Sequence, residues 1–228
     1  MPGRDILAAM ALLIESPAAP DTPMSLHDVS KISQTLAEHM QTLPLRAEGF
    51  SVEDYFSLNG NYLLEYVDGC LQILPMPDLY HQMLSQLLLL KLLDVLKSDP
   101  AGQVCYSPFK VMLDATRYRE PDLGVMLGKH AARRRRTHWE GADFVIEIVS
   151  ESNRRHDLET KRHDYAVAGI GEYWVVDPEL KSIRQFVLDG PAYREQAVAR
   201  GAESVHGHVL AGLTVAAGPL FAEAEARL

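Results

Sequence analysis

Two carboxylates occupy positions where a folding chain does not ordinarily leave them alone. In "YREPDLGVML", Asp122 follows Pro121 directly ahead of an apolar run. In "ADFVIEIVSES", Glu147 interrupts a run from Phe144 to Val149 that is rich in β-branched residues. Runs of this composition predict buried strands. An ionised carboxylate buried without a partner is costly, or its pKa climbs until it is neutral. If the two strands are neighbours, Asp122 and Glu147 converge at one point. Two carboxylates, a main-chain carbonyl and waters are what a hard cation such as magnesium takes as ligands. Ile148, one residue after Glu147, offers that carbonyl. From the residues alone, a Glu147 that faces solvent or pairs with an arginine remains the alternative.

A lysine belongs with these two acids. In "HDLETKRHDYAVAGIG", Leu158, Lys161, Tyr165 and Ala168 follow helical steps, which puts Lys161 on the stripe facing the sheet. A lysine there either snorkels to the rim or points at a negative charge. An Asp157–Lys161 pair at i,i+4 is the plainer reading, but it does not account for a lysine on the apolar stripe. Three further residues are open between two roles. Tyr165 could bond a phosphate or fill the core, Glu65 could join a metal shell or face solvent, and His81 could contact phosphate or cap a helix.

These side chains need elements to position them. "SVEDYFSL" reads as a short helix with Ser51 and Asp54 in a capping box. "YLLEYVDGCLQILP" is two apolar runs around Asp68-Gly69, a strong hairpin signal. "DLYHQMLSQLLLLKLLDVLKSD" predicts a long helix capped by Asp78. Strands are expected in "GQVCYSPFKVMLD", "PDLGVML" and "DFVIEIVS", with "GKHAARRRRTHWEG" as a loop or short helix. A helix follows, ended by Gly169 and Gly171, and then strands in "EYWVVD", "SIRQFVL" and "AYREQAVA". This order predicts an α/β or α+β architecture, a mixed sheet with few crossover helices. Residues 1–48 read as a partly helical extension, with a Pro-rich linker in "ESPAAPDTPMS" and helical spacing in "SLHDVSKISQTLAEHMQTLP". Residues 49–228 form the main domain.

The 228 residues are 47% hydrophobic and 23% charged, an ordinary globular composition. A net charge of −9 excludes a protein whose whole surface grips nucleic acid. It permits a local basic cleft. Arg133, Arg134, Arg135 and Arg136, with Arg154 and Arg155, flank the two acidic strands in sequence, either as phosphate contacts or as a solvated loop. Cys70 and Cys105 are too few and too far apart for a zinc knuckle or a disulfide framework. No run approaches the roughly 18 apolar residues of a membrane-spanning helix. Asp5 and Glu15 weigh against a signal peptide at the start, so a cytoplasmic location is expected. The two "HD" pairs at 156–157 and 163–164 lack the further ligands of a metal phosphohydrolase, and "HGH" at 206–208 reads as a turn.

The core from Pro121 to Pro178, with "REPDLGVM", "DFVIEIVSES" and "GEYWVVDP", resembles the Uma-type restriction endonucleases of the PD-(D/E)XK nuclease superfamily. The resemblance runs from about Phe50 to Leu220 and takes in "EYVDG" and His81. It implies a restriction-endonuclease-like fold, with a mixed central sheet flanked by helices and a β-hairpin before the main helix. It implies that Asp122 and Glu147 bind Mg2+ or Mn2+. The superfamily lysine ordinarily stands two residues after that glutamate, where this chain has Val149. Uma-type proteins carry it on the next helix, and Lys161 matches that place. The chain departs from the family at Cys70, where an acid often stands, and at Glu151, where proline is usual. The activity implied is metal-assisted phosphodiester hydrolysis by a homodimer acting on DNA, with Lys161 orienting water or stabilising charge. The alternatives are a catalytically silent module that binds DNA or a protein, and a phosphohydrolase of small nucleotides.

Overall fold

In the computed structural model of the chain, residues 45–58, 63–150, 154 and 156–228 are described. The helix expected in "SLHDVSKISQTLAEHMQTLP", together with Glu151 and Arg155, lies outside them. The chain divides between Pro75 and Met76 into two compact units.

The first unit holds β1 (Leu45–Glu48), α1 (Val52–Ser57), β2 (Leu64–Val67) and β3 (Cys70–Ile73). Its capping box forms as expected, with the Asp54 N–H on Ser51 Oγ at 3.1 Å and the Ser51 N–H on Asp54 Oδ2 at 2.8 Å. Asp68 and Gly69 both have positive φ, 49° and 83°, the backbone a two-residue hairpin turn requires. β3 pairs antiparallel with both β2 and β1. Tyr55 is buried behind this sheet and donates its hydroxyl to the Leu64 carbonyl at 2.8 Å. Glu65, at the centre of β2, is fully buried.

The second unit opens with α2 (Leu79–Val95), capped by Asp78, whose carboxylate accepts the His81 N–H at 2.8 Å. Then come β4 (Gln103–Tyr106), β5 (Lys110–Asp114), β6 (Arg117–Arg119), β7 (Leu123–Met126), β8 (His138–Glu140) and β9 (Phe144–Ile148). After α3 (Arg162–Val167) follow β10 (Glu172–Asp177), β11 (Ser182–Asp189), β12 (Ala192–Arg200), β13 (Ser204–His206), β14 (Thr214–Ala216) and α4 (Ala217–Glu225). The main sheet is mixed, in the order β12-β11-β10-β9-β7-β4. β9 and β10 run parallel, and the other neighbours are antiparallel. β6, β5 and β8 form a smaller ladder.

Both faces of the main sheet are covered, and strand alternation assigns residues to each. Phe144, Ile146 and Ile148 pack with Leu84, Leu88 and Leu92 of α2 and with Leu220 and Phe221 of α4. Val145 and Val149 point the other way, toward Tyr165, Tyr173 and Trp139. The protein is therefore an α+β fold whose mixed sheet is flanked by helices. No described helix is long and apolar enough to cross a membrane.

Two expectations are corrected. "GQVCYSPFKVMLD" is not one strand, because the chain leaves the main sheet at Ser107-Pro108 and joins the smaller ladder as β5. Proline has no N–H to continue a ladder. The segment expected as a loop or short helix carries a 3-10 turn at Gly128–Arg133 and then a strand, β8. The "HGH" turn is held by Glu172, which is fully buried. One Glu172 oxygen accepts the Trp174 indole and the Gln185 amide, and the other accepts the main-chain N–H groups of His208 and Val209.

β7 depends on one glycine. Cys105 and Gly124 face each other across β4 and β7, and a methyl group on Gly124 would stand 2.7 Å from Cys105 Sγ. Gly124→Ala is expected to destabilise the fold by about 1–3 kcal/mol through overpacking. Adding Cys105→Gly should recover most of that loss in urea denaturation; no recovery would mean that the sulfur is not what the methyl meets.

Candidate active site

β7 and β9 bring the two acids together. Leu123 pairs with Ile146, Gly124 with Val145 and Val125 with Phe144. The paired register ends at Leu123; Asp122 directly precedes it, and its carboxylate reaches the residue after Glu147. Each carboxylate is held. Asp122 Oδ2 accepts the Ile148 main-chain N–H at 2.7 Å and lies 3.2 Å from His81 Nε2. Glu147 Oε1 accepts the Tyr165 hydroxyl at 2.6 Å, and Oε2 lies 3.0 Å from Lys161 Nζ.

Lys161 is 3% exposed and bridges two acids, with Asp157 Oδ1 at 3.3 Å on its other side. The expected Asp157–Lys161 pair and the expected approach to a buried charge are therefore both present. The local winding explains how. His156–Lys161 is a π-helix that continues into α3. Asp157 and Lys161, four residues apart, share one side of it, and such turns recur at functional sites. Gly169, with φ of 75°, then ends α3 as expected. Tyr165 fills the core and bonds Glu147, so it serves the site through the carboxylate. Tyr173 closes the cluster from β10, donating its hydroxyl to the Asp157 carbonyl at 3.0 Å. Burial first, and then the charges of Glu147, Asp157, Tyr193 and Asp122, hold its phenol well above the ordinary range, so it stays a donor.

His81 does not cap α2 with its side chain. Asp78 caps the helix, and the imidazole turns toward Asp122. Burial pulls its pKa down, but Asp122, Asp78 and the Ile148 carbonyl together outweigh that and raise it above the usual value.

Sequence reasoning missed a brace beside the site. Arg119, 1% exposed and three residues before Asp122, donates to Asp164 Oδ2 from Nε at 3.2 Å and from Nη2 at 2.5 Å. Its Nη1 lies 3.3 Å from His156 Nε2, which accepts because a guanidinium can only donate. The two "HD" pairs thus supply partners to the site: His156 and Asp164 to Arg119, and Asp157 to Lys161. Their seven-residue spacing, two helical turns, was the signal available in the sequence.

The donor types, the carboxylates of Asp122 and Glu147, the Ile148 carbonyl and the His81 imidazole, are ones a divalent cation accepts. Among the described residues no group of three or more His, Cys, Asp or Glu already stands gathered for a metal. Glu147 is engaged by Lys161 and Tyr165, and Asp122 by His81 and the Ile148 N–H.

A family model described as "Uma2: Putative restriction endonuclease" matches residues 52–218. The chain belongs to this family. Among solved structures it is similar to one described as a putative nuclease belonging to DUF820 from Anabaena variabilis ATCC 29413. That match has a TM-score of 0.65 and 16% identity, and it covers 77% of this chain and 99% of that one. The likeness at that identity is one of fold, the restriction-endonuclease-like mixed sheet flanked by helices. No curated protein matches the chain.

Within this family member the basic residues divide. The turn that bears the arginine run is anchored by Asp143, which accepts the Leu127 N–H at 2.7 Å and lies 2.6 Å from His130 Nδ1. Arg134 donates to the carbonyls of Ala101 and Met126, and Arg135 donates to Glu140 and the Ala132 carbonyl. Arg133 and Arg136 are exposed. Arg154 is turned to Asp177 and Glu179.

Removing a single partner from a buried ion pair leaves a charge without compensation, at a cost of about 3–5 kcal/mol. Lys161→Met is expected to cost that much in urea denaturation. The double variant with Glu147→Gln should cost less than the sum of the singles by about 1 kcal/mol or more. Additive losses would show that Lys161 and Glu147 are not energetically coupled.

Proposed function

We propose that the protein is a divalent-metal-dependent endonuclease that hydrolyses phosphodiester bonds, with DNA as its substrate. The observation that carries this reading is the buried Lys161 ammonium 3.0 Å from Glu147, with the Asp122 carboxylate bonded to the N–H of the next residue on the same strand, Ile148. A structural ion pair would not call for a second carboxylate beside it. Family membership supports the same chemistry. Asp122, Glu147 and the Ile148 carbonyl would hold Mg2+ or Mn2+, which supplies Lewis acidity toward a phosphate and makes water more acidic. Asp157 and Glu147 fix the Lys161 ammonium where it can orient the attacking water or meet charge developing on phosphate. Tyr165 and Tyr173 hold Glu147 and the π-helix in place. Among the described arginines of the two clusters, Arg133 and Arg136 are exposed without the local bonds made by Arg134, Arg135 and Arg154, and they are the phosphate contacts in this reading.

The same reading makes residues 49–228 the nuclease domain and residues 1–48 an extension outside it. It also takes the protein to be a cytoplasmic homodimer. One observation favours a second reading. Both Glu147 oxygens are already bonded, as they would be in a silent nuclease-like module that binds DNA or a protein.

Plasmid incubated with Mg2+ or Mn2+ is expected to be cleaved by the wild type and left intact without metal. Glu147→Gln and Lys161→Ala, checked for folding, should each lose about 10²-fold or more in rate. Equal cleavage by all three would remove the site assignment, and no cleavage of any nucleic acid would favour the silent module. In DNA binding, Arg133→Ala with Arg136→Ala should weaken affinity and lower the slope of log K against log salt by about one per arginine. Arg134→Ala should instead act on stability. An unchanged slope in the double variant would assign the run to a solvated loop.

A further inference from the structure

Lys161 turns to Glu147, but the next side chain along, Arg162, turns to β11. Its guanidinium carbon lies 5.3 Å from the centre of the Phe186 ring. Phe186 is 1% exposed and stacks on Tyr173 with ring centres 6.0 Å apart, so the arginine rests on a fixed surface. A guanidinium over a ring is held through its face, which leaves the N–H edge to other partners. Among the described residues that edge has none: Arg162 is half-buried and makes no hydrogen bond or ion pair. Arg184 approaches the same ring at 5.2 Å, but its charge is met by Glu195, whose Oε2 accepts from Nε at 2.8 Å. Arg162 borders a groove of about 400 Å³ between α3 and the β11–β12 hairpin, lined also by His163, Ala166, Phe186, Pro191 and Tyr193. Sites for small ligands measure about 300–1,000 Å³. The two acids on the groove are engaged already, Glu195 by Arg184, and Glu159 is not without a partner. In a chain with 31 acidic side chains against 22 lysines and arginines, Arg162 still meets no carboxylate.

We propose that this groove binds the phosphate group of a nucleotide-sized ligand through Arg162 and His163, as a site separate from Asp122 and Glu147. It stands whether or not the protein is a nuclease. The planar fork of a guanidinium matches carboxylate and phosphate alike, with two parallel N–H bonds. His163 decides between them. It lies exposed on the same groove, and an imidazole has an N–H to donate whether it is neutral or charged. A carboxylate would use both oxygens on the fork, whereas a phosphate keeps another for the imidazole. Stacking on Phe186 orients the fork before any ligand arrives, which lowers the ordering cost of binding. Beside Pro191 and Tyr193 the groove has room for the ring and sugar that carry the phosphate. A free nucleotide and a single strand both present this group.

Calorimetry on the full-length protein in EDTA tests this, since no divalent cation can then bring phosphate to Asp122 or Glu147. The probes are inorganic phosphate, adenosine 5′-monophosphate, adenosine and a single-stranded oligodeoxynucleotide. Inorganic phosphate and the monophosphate are expected to bind, and adenosine is not. Arg162→Gln should lower the monophosphate affinity by about tenfold or more, the scale of hydrogen bonds to a charged group, and His163→Ala by about threefold. Arg194→Gln removes an equal charge from the same hairpin at an exposed position outside the groove, and it should leave the affinity unchanged. Tighter binding of the monophosphate than of the oligonucleotide assigns the groove to a free nucleotide. Tighter binding of the oligonucleotide, lost in Arg162→Gln, assigns it to a strand. The proposal is overturned if the wild type binds neither phosphate nor the monophosphate, or if adenosine binds as tightly as its phosphate. It is overturned equally if Arg162→Gln binds like the wild type, or if Arg194→Gln loses as much as Arg162→Gln. His163→Ala changes an exposed side chain, and an unchanged affinity there overturns the proposal even if Arg162→Gln does not fold.

Discussion

A carboxylate in the middle of a buried strand must be compensated, and the arrangement around Glu147 follows from that requirement. Taking an ion from water into the interior costs several kcal/mol even after relaxation, and only close opposite charge and hydrogen bonds return it. Lys161 and Tyr165 supply these to the two Glu147 oxygens. Lys161 is then itself a buried cation, and Asp157 answers it. The backbone adapts to this demand. The segment His156–Lys161 that carries both is wound as a π-helix.

The same constraint gives the neighbouring elements their roles. Asp122 can reach the Ile148 N–H beside Glu147 only if β7 lies against β9 in this register. Gly124 lets β7 close on β4 at Cys105. Arg119 ties the strand before Asp122 to Asp164 on the helix after Lys161, so the two halves of the site cannot drift independently. On the opposite face the apolar packing of α2 and α4 against Phe144, Ile146 and Ile148 keeps β9 straight and buried. That burial raises the electrostatic stakes for Glu147. The contacts that compensate Glu147 are the same ones that hold Lys161 in the candidate site.

Long or strongly patterned elements were legible because local chemistry encodes them. The Asp68-Gly69 hairpin, the capped α1 and α2, and the strands β7, β9, β10, β11 and β12 all carry turn residues, caps or apolar runs of sufficient length. Three-residue strands such as β6 and β8 were not legible, since two or three side chains show no period. The split of "GQVCYSPFKVMLD" depends on which sheet each half joins, a non-local matter. Arg119 was passed over because an arginine beside a motif looks like any surface charge until its partner, 45 residues away in sequence, is in place.

What the amino-acid sequence determined by itself was the set of groups: Asp122 and Glu147 in apolar runs, a lysine on an apolar helical stripe, and no lysine at Val149. Residue type, periodicity and spacing are local properties, and they suffice to say which side chains must be buried and charged. The tertiary structure alone decided which atoms meet. It set Asp122 on the Ile148 N–H beside Glu147, turned His81 from its own helix cap to Asp122, and bound Arg134, Arg135 and Arg154 to nearby acids and carbonyls. Those pairings depend on strand register and on how helices lie on the sheet. Contacts between residues distant along the chain fix both, and no single stretch of sequence contains them.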